Sequence, residues 1–517
     1  MDMFLPILSG ALLYASFPPF SLWPLVFIAL APLLLFLARE EKFWRLFAGS
    51  FLFIFIFSLV FMRFLPDSLL VADGIFIWMG LPLIIFFLKK KTPLGSFYFF
   101  LAAGGLVLFF AWLLARFSPL PSYMSLFAIP LGTTSFAGLA FWGGVVGLSA
   151  FVILVNVLLA FSLRSFFQKK MPFFSLPLSL PLTPSIFVSF VSFVSLGAAV
   201  FLVAIGFWAG KMLLTYPGQG EKTISVGVVG VGRDFDKEAF AFDTGGRVPT
   251  EKEKVAARAY ISSLLTPLSA RVMSGTYDLV VLPEHMIDIK LPGDAYSPAR
   301  GALGITNAGT LLEEYASFAK KHRVNLLVNL AIIDESGKKF NASLLITPEG
   351  KFSGMYQKRY LALGGEYWPF GKWIPLQAKR NLKEAARSGE EFFITESPTG
   401  QYARGENPLA PLFLSNGVPF GAPICLEGHL PYAQKKWKEA GAKFLTHQSS
   451  NKWFGNPNDT YNALTDRLRR LEAIATGLPI LVSEKNGPAG IVRPDGTASY
   501  VFPAPEGTAF LAGDVAY

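Results

Sequence analysis

Charge and cysteine are both scarce in this sequence. Of its 517 residues only 16% are charged, whereas 52% are hydrophobic and 51 are phenylalanine. So apolar a composition excludes a disordered chain and a single soluble globule. The one cysteine, Cys425, excludes an internal disulfide, and the four histidines lack the close spacing of zinc ligands. The spacing of the histidines therefore gives no reason to expect a bound metal. No glycine-rich phosphate-binding motif follows a strand, so a nucleotide or other organic cofactor is not expected either.

Acidic residues are nearly missing from the first 210 positions, which contain five of the 36 in the chain. Because long apolar runs fill the same stretch, we predict a membrane-embedded domain over residues 1–210 and a water-soluble domain over residues 211–517. The net charge of +10 comes largely from basic clusters beside the apolar runs. Such clusters orient membrane helices, so nucleic-acid binding is not expected.

Seven apolar runs are candidates for membrane crossings, and most approach the ~20 residues that a bilayer requires. They are residues 4–17, 23–37, 46–65, 69–88, 97–114, 143–163 and 185–208. A further apolar segment near residues 119–141 is interrupted by prolines, and we predict that it forms an exposed arm at the outer surface of the bilayer. No positive charge precedes the first run, so a cleaved signal peptide is not expected.

The basic clusters indicate the orientation of these runs. They follow the second, fourth and sixth runs, whereas the loops after the third and fifth carry almost no positive charge. Since cytoplasmic loops are enriched in Lys and Arg, the clusters and the N-terminus are predicted to lie in the cytoplasm. Seven crossings then place the soluble half on the extracytoplasmic side.

The second half alternates short β-branched runs with amphipathic segments, which is typical of a layered α/β domain with buried strands. The predicted strands are residues 223–229, 277–282, 325–332, 342–346, 418–425, 443–447 and 478–483. The predicted helices are residues 252–274, 310–322, 432–440 and 462–476.

Three short segments of this half carry chemically useful side chains. Glu284 follows an apolar strand, where burial would raise its pKa and suit it to act as a base. Lys358 and Cys425 also follow predicted strands. Taken singly, each has a plain structural interpretation: a solvated glutamate, a surface lysine and a small buried hydrophobic residue.

As a set, the three segments resemble the carbon–nitrogen hydrolase (nitrilase) superfamily, whose Glu, Lys and Cys occur in this order at strand ends. Further segments are similar to the superfamily: residues 449–455, which include Trp453, then residues 467–479 and residues 483–490. The resemblance implies an αββα sandwich for the soluble domain.

The whole chain resembles the apolipoprotein N-acyltransferase family, in which such a domain follows several membrane helices. Residues 16–25 are similar to the family's opening motif. The resemblance implies that Glu284 is the general base, Lys358 the catalytic lysine and Cys425 the nucleophile. It also implies supporting or substrate-positioning roles for Glu366, Glu427 and Trp453.

Some positions depart from the family's pattern. Leu426 replaces the aromatic residue that commonly follows the nucleophile, and Lys452 replaces an aspartate of the tryptophan motif. Residues 363–369 differ from the usual glycine–glutamate segment. No eighth apolar run follows the soluble half, so the C-terminus is expected outside the cytoplasm.

The family's reaction would transfer an acyl chain from a phospholipid to a diacylated apolipoprotein, through a thioester and without a cofactor. The implied location is the bacterial inner membrane, crossed several times, with a periplasmic catalytic domain and a monomeric chain. Two alternatives stay open. One is a membrane-anchored amidase or nitrilase that hydrolyses a C–N bond, and the other is a non-catalytic membrane binding or transport protein.

Overall fold

The computed structural model describes most of both halves of the chain. The described residues are 3–62, 80–91, 97–117, 127–167, 184–215, 222–233, 235, 251–272, 276–284, 288–290, 311–334, 336, 338–362, 366, 402–405, 409–451 and 459–517. They form two compact units, Met1–Tyr216 with Asn458–Ala475, and Pro217–Pro457 with Thr476–Tyr517. The predicted boundary at position 210 stays a prediction.

Eleven α-helices occur in the described residues. They are α1 (Phe4–Ser16), α2 (Ala31–Arg39), α3 (Phe43–Met62), α4 (Gly80–Lys91), α5 (Phe97–Phe117), α6 (Ala140–Phe167), α7 (Pro184–Leu214), α8 (Glu251–Ser269), α9 (Leu311–His322), α10 (Pro431–Glu439) and α11 (Asp459–Thr476). Helices α1 to α7 and nearly all of α11 belong to the first unit. The sequence did not indicate that α11 would group with the apolar helices.

The second apolar run forms a broken helix, in which a 3₁₀ helix at Trp23–Phe27 precedes α2. The break leaves backbone groups without helical partners, and Asn156 of α6 satisfies them. Its Oδ1 accepts from the N–H groups of Leu30 at 2.8 Å and Ala31 at 3.2 Å. Its Nδ2 donates at 2.9 Å to the carbonyls of Val26 and Val152. One side chain therefore joins α2 to α6.

Part of the segment predicted as an arm at the membrane surface lies in the described residues. Residues 127–141 contain two 3₁₀ helices, Ile129–Leu131 and Ser135–Leu139, whose apolar side chains are enclosed. The second packs so closely on α7 that a Cβ at Gly138 would overlap the carbonyl oxygen of Gly210. Ile129, Leu131 and Phe136 are buried by this packing, whereas Phe141 at the end of the segment is 50% exposed. The location of the segment at the outer surface of the bilayer stays a prediction.

Each of the seven apolar runs contains a helix in the described residues. Two of them are long and apolar enough to cross a membrane, namely Ser135–Arg164 and Phe193–Leu214. Five shorter apolar helices accompany them: Phe4–Ser16, Trp23–Arg39, Phe43–Leu59, Gly80–Lys89 and Phe97–Trp112. Seven crossings stay a prediction.

The second unit is built on a mixed β-sheet. Its strands are β1 (Thr223–Val231), β2 (Leu279–Val281), β3 (Asp288–Lys290), β4 (Asn325–Ile333), β5 (Lys339–Ile346), β6 (Phe352–Gln357), β9 (Leu445–Ser450), β10 (Ile480–Lys485), β11 (Ala489–Val492), β12 (Ala498–Val501) and β13 (Thr508–Ala516), with a separate pair β7 (Leu412–Phe413) and β8 (Pro419–Phe420). The order is β12-β11-β10-β1-β2-β4-β5-β6, with β13 on β1, β3 on β4 and β9 on β10.

The two ends of this sheet lie face to face. Ser343 of β5 donates to the side chain of Gln448 of β9 at 2.6 Å, although these strands are not neighbours in the sheet. Gln448 donates in turn to the carbonyl of Leu282 at 2.6 Å. Helices α8 and α9 cover the other face of β1, β2, β4 and β5 with a continuous apolar core. The layering explains why the central strands read as unbroken apolar runs.

The structure confirms the four helices predicted for the second half to within a few residues at each end. It shortens one predicted strand. Residues 418–425 form only β8 and isolated bridges from Gly421 to Leu445 and from Ile424 to Gln448. Pro423 lacks an N–H group, so it interrupts a continuous ladder at this point. Strands β6, β11, β12 and β13 were not predicted, because their polar and glycine residues obscure the apolar alternation.

Candidate active site

Five of the six predicted site residues lie in the part of the chain that the structure describes. Glu284 follows β2, Lys358 follows β6, and Cys425 starts a 3₁₀ helix at Cys425–His429. Glu366 and Glu427 are described as well. The sixth residue, Trp453, lies outside the described residues.

Glu284 is a buried carboxylate, and among the described residues one of its oxygens has a close hydrogen bond from a side chain. It is 2% exposed, because β2 continues into the core and Leu282 still pairs with the carbonyl of Leu327. Its Oε1 accepts from Nδ2 of Asn341 at 2.7 Å, whereas its Oε2 has no hydrogen-bond partner of normal geometry among the described residues. Burial raises the pKa of Glu284, opposed by the positive charge of Lys358. The backbone of Ser450 lies near enough to help lower that pKa. A poorly solvated carboxylate with a free oxygen is suited to accept a proton.

Lys358 is held by a second carboxylate. Its Nζ lies 2.8 Å from Oε2 of Glu366, and both side chains are almost fully buried. Oε2 of Glu366 also accepts from the N–H group of Ala362 at 2.8 Å, and Oε1 accepts from Nδ2 of Asn341 at 2.8 Å. Asn341 thus donates to both Glu284 and Glu366, and links the two carboxylates to the lysine.

The charge state of Lys358 follows from its neighbours. Burial by itself would lower the pKa of the lysine, but the negative charges available at Cys425, Glu366 and Glu284 outweigh it and raise the pKa. Lys358 is therefore a fixed positive charge that can stabilise negative charge as it develops.

Cys425 occupies a sharp turn. Its φ is 51°, in the left-handed region that residues other than glycine seldom adopt, and the side chain is half-buried. Backbone strain of this kind at a turn often accompanies function. Burial raises the pKa of the thiol to about 12, opposed by Lys358 and reinforced by Glu284. The thiol is therefore neutral at ordinary pH and needs a base before it can act as a nucleophile.

Glu427 differs from Glu284 because both of its oxygens are hydrogen-bonded. Oε1 accepts from Tyr356 Oη at 2.8 Å and from the N–H groups of Arg359 at 2.7 Å and Tyr360 at 2.9 Å. Oε2 accepts from the N–H group of Ile424 at 3.1 Å. Glu427 therefore joins the segment after Lys358 to the turn that carries Cys425.

Two further residues of the site were missed by the sequence analysis. Asn341 stands in an ordinary strand, and only the tertiary structure brings it between two carboxylates. Nε2 of His447 lies 2.8 Å from the carbonyl oxygen of Cys425 and supports the strained turn. No local sequence signal marks either residue, because their partners are distant along the chain.

Together these groups can carry out acyl transfer to and from a thiol. A neutral thiol, a carboxylate with a free oxygen and a fixed cation are the components that nucleophilic acyl substitution requires. Within the described residues, no three His, Cys, Asp or Glu side chains cluster in a way that could hold a metal ion.

Comparison with protein-family models defines the class. Residues 250–507 match the carbon-nitrogen hydrolase family, and this match includes the acidic, lysine and cysteine side chains described above. The second unit thus has the nitrilase-like α/β fold. Among solved structures, Nit3 of Saccharomyces cerevisiae, a member of the nitrilase superfamily, aligns with 57% of this chain and 91% of its own, at 16% identity and a TM-score of 0.37.

The first unit narrows the class to one family. Residues 9–158 match the apolipoprotein N-acyltransferase N-terminal domain. The apolipoprotein N-acyltransferase of Chlorobaculum tepidum is 25% identical over 497 residues, which cover 91% of this chain and 83% of that protein. The enzyme of the same name from Geobacter metallireducens is 23% identical over 523 residues, which cover 95% and 85% respectively. The chain belongs to the apolipoprotein N-acyltransferase family.

Proposed function

We propose that this protein transfers an acyl chain from a membrane phospholipid to the N-terminal amine of diacylated apolipoproteins, through a thioester on Cys425. Membership of the family supports lipoprotein N-acylation. The geometry of the site supports the donor, the thioester and the residue roles in this proposal.

The observation that carries the proposal is the contrast between Cys425 and Glu284. The thiol has a pKa of about 12, and the buried carboxylate has one oxygen without a hydrogen bond in the described structure. Such a thiol reacts only when a base removes its proton during attack. Glu284 is the base in this proposal, because the oxygens of Glu366 and Glu427 are occupied.

In the first half-reaction the thiol proton passes to Glu284 as the sulfur attacks the carbonyl carbon of a phospholipid ester. The resulting oxyanion is stabilised by Lys358 and by a backbone N–H group at the start of the 3₁₀ helix, a contribution of about 3 kcal/mol per donor. The C–O bond then breaks. The alkoxide of the lysophospholipid takes the proton from Glu284, and the acyl group remains on Cys425.

In the second half-reaction the α-amine of a diacylglyceryl-cysteine attacks the thioester. Glu284 accepts a proton from the amine, the C–S bond breaks, and the thiolate of Cys425 regains a proton. An amide of the lipoprotein and free enzyme result, so atoms and charges balance without a cofactor.

The proposal includes a location in the bacterial inner membrane with the catalytic unit on the periplasmic side. Contacts inside the first unit support this orientation. Lys89 donates to the carbonyl of Glu40, and Arg45 lies 3.6 Å from the carboxylate of Glu40. Three helix ends that are predicted on the cytoplasmic side, those of α2, α3 and α4, therefore meet. Ser21, predicted on the other side, is in contact with Arg467 of α11 at 2.8 Å. We further propose that the protein acts as a monomer.

Mass spectrometry of the intact protein tests the reaction. Purified protein mixed with phospholipid alone should gain one acyl chain, and addition of a diacylated lipopeptide should move that chain to the peptide amine. Because Cys425 is the only cysteine, the Cys425→Ala variant should show neither product. Acylation at another residue would contradict the assignment of the nucleophile.

The same experiment separates the amidase alternative. An amidase or nitrilase would pass any acyl group on Cys425 to water, so the lipopeptide would gain no acyl chain and would not change the rate at which free fatty acid appears. A membrane binding protein with no catalytic activity would form no acyl-enzyme at all.

A further inference from the structure

Arg467 is a buried arginine of α11 that forms no ion pair with a carboxylate among the described residues, although the charge of Asp466 acts on it through space. It is 7% exposed, and its Nη2 donates to the hydroxyl of Ser21 at 2.8 Å. Its other terminal nitrogen, Nη1, is buried without a hydrogen-bond partner in the described structure. The neighbouring carboxylate of Asp466 accepts twice from Nε of Arg470, at 2.8 and 2.9 Å. A buried guanidinium with one uncharged partner is costly, so the site lacks a group that would complete it.

The backbone that carries this guanidinium is closely packed within the first unit. Gly132 lies directly against the backbone of Arg467, so closely that a Cβ at position 132 would press on its carbonyl oxygen. Ser21 has a φ of 56°, and its N–H group donates to the carbonyl of Phe17 at 2.9 Å. The serine and the arginine are therefore held in fixed positions before any ligand binds, which reduces the entropy cost of binding.

Exposed apolar side chains flank the serine on both sides. Phe20 is 50% exposed and Leu22 is 52% exposed. A buried cation beside exposed apolar surface is complementary to an amphiphile that carries an anion next to an acyl chain. It is poorly suited to a freely soluble anion, which would make no use of the apolar rim.

From this geometry we propose that Arg467 and Ser21 form a binding site for the phosphate of a glycerophospholipid. The guanidinium offers Nη1 to a phosphate oxygen, and the hydroxyl of Ser21 can donate to a second oxygen. The inference rests on the proposed function, because the bound lipid is then the acyl donor. It goes beyond that function by naming the residues that select a donor with a phosphate group.

Two acyl donors test the proposal on the whole protein in detergent. One is dioleoyl phosphatidylglycerol, and the other is p-nitrophenyl palmitate, which has no phosphate. In Arg467→Gln the phospholipid concentration for half-maximal acylation of Cys425 should rise about tenfold, with the maximal rate within about twofold. The rate with p-nitrophenyl palmitate should stay within about twofold. Arg467→Lys, which keeps the charge but not the planar geometry, should lie between.

The matched control is Arg271→Gln, which removes one positive charge from an exposed position of the second unit. It should leave the dependence on both donors unchanged. The proposal is overturned if Arg467→Gln slows both donors equally, because the residue would then support the structure alone. It is equally overturned if the phospholipid dependence does not change.

A second measurement uses only the wild-type protein, so it tests the phosphate site even if Arg467→Gln does not fold. A diether analogue of phosphatidylglycerol, which cannot donate an acyl chain, should compete with p-nitrophenyl palmitate in the wild-type protein. A diether glycerol without phosphate should compete at least about tenfold more weakly. Equal competition by the two diethers would overturn the proposal, and so would inorganic phosphate that competes as strongly as the phospholipid analogue. Failure of the proposed function looks different, since phosphatidylglycerol would then not acylate the wild-type protein.

Discussion

Two buried asparagines, one in each unit, make almost the same number of side-chain hydrogen bonds but have different roles. Asn156 in the first unit makes three bonds with backbone groups around the break before α2, and a fourth with the carbonyl of Val152 on its own helix. Asn341 in the second unit donates to the carboxylates of Glu284 and Glu366, and accepts from Asn329. The first completes a helix, whereas the second holds ionisable side chains in position.

This difference indicates how each unit uses buried polarity. Among apolar helices an unsatisfied backbone group is costly. Asn156 supplies hydrogen-bond partners to the backbone groups at the point where the helix is broken. In the second unit the proposed base, Glu284, is a buried carboxylate whose Oε2 has no partner of normal geometry among the described residues. Substitutions should therefore affect stability in the first unit and chemistry in the second.

The largest effect is expected from Glu284→Gln. A neutral amide cannot accept the thiol proton, so acylation of Cys425 by phospholipid should fall about 10³-fold or more. Glu427→Gln should give a milder loss, since Glu427 orients the backbone around the site through its four hydrogen bonds. Intact-protein mass spectra after mixing with phospholipid measure both. If Glu284→Gln were acylated at a near-normal rate and Glu427→Gln were not, the roles would have to be exchanged.

Asn341→Leu should reduce acylation about 10²-fold, because Glu284 and Glu366 both lose the donor that positions them. The rate of acyl-enzyme formation per folded molecule is the measurement. Asn325→Leu is the matched control: this buried asparagine of the same sheet bonds to Asp278 and Ser415, away from the charged groups. Equal losses of rate in the two variants would mean that Asn341 serves only the fold.

The pH dependence of thiol alkylation should reveal the same base. Burial raises the pKa of Glu284, so its reactive anionic form is lost as the pH falls through that raised value. Alkylation of Cys425 by iodoacetamide should then fall about tenfold per pH unit on the acid side. In Glu284→Gln this step should vanish, and reactivity should instead rise with pH toward the pKa of the thiol, which loss of the Glu284 charge brings below about 12. An unchanged profile in that variant would exclude Glu284 as the group that titrates.

The smallest effect on chemistry is expected from Asn156→Leu. Three backbone groups at the break lose this partner, which should lower the free energy of unfolding by about 2–3 kcal/mol. Acylation per folded molecule should stay within about twofold. Ser149→Ala is the control on the same helix, since its hydroxyl bonds only to the carbonyl of Val145 one turn before. Thermal unfolding in detergent gives the comparison, and equal stability of the two variants would refute the role of Asn156.

Much of this protein could be predicted from local patterns. Unbroken apolar runs predicted helices in the first half, and alternating segments predicted α8 to α11 and most central strands. The order of Glu284, Lys358 and Cys425 at strand ends, together with the motifs around them, pointed to the family. Helix and strand periodicity depend on residues that are close together in the sequence, so a local pattern can predict them. The same holds for a chemically active residue that directly follows a strand.

Tertiary structure alone decided the arrangement of the site. Asn341 bridges carboxylates from two distant segments, Glu427 is saturated by a strand end far along the chain, and Glu284 keeps one oxygen free. It also placed Arg467 beside Ser21, more than four hundred positions away, in the first unit. Hydrogen bonding and desolvation depend on which groups meet in space, and no local pattern records the partners that a folded chain brings together.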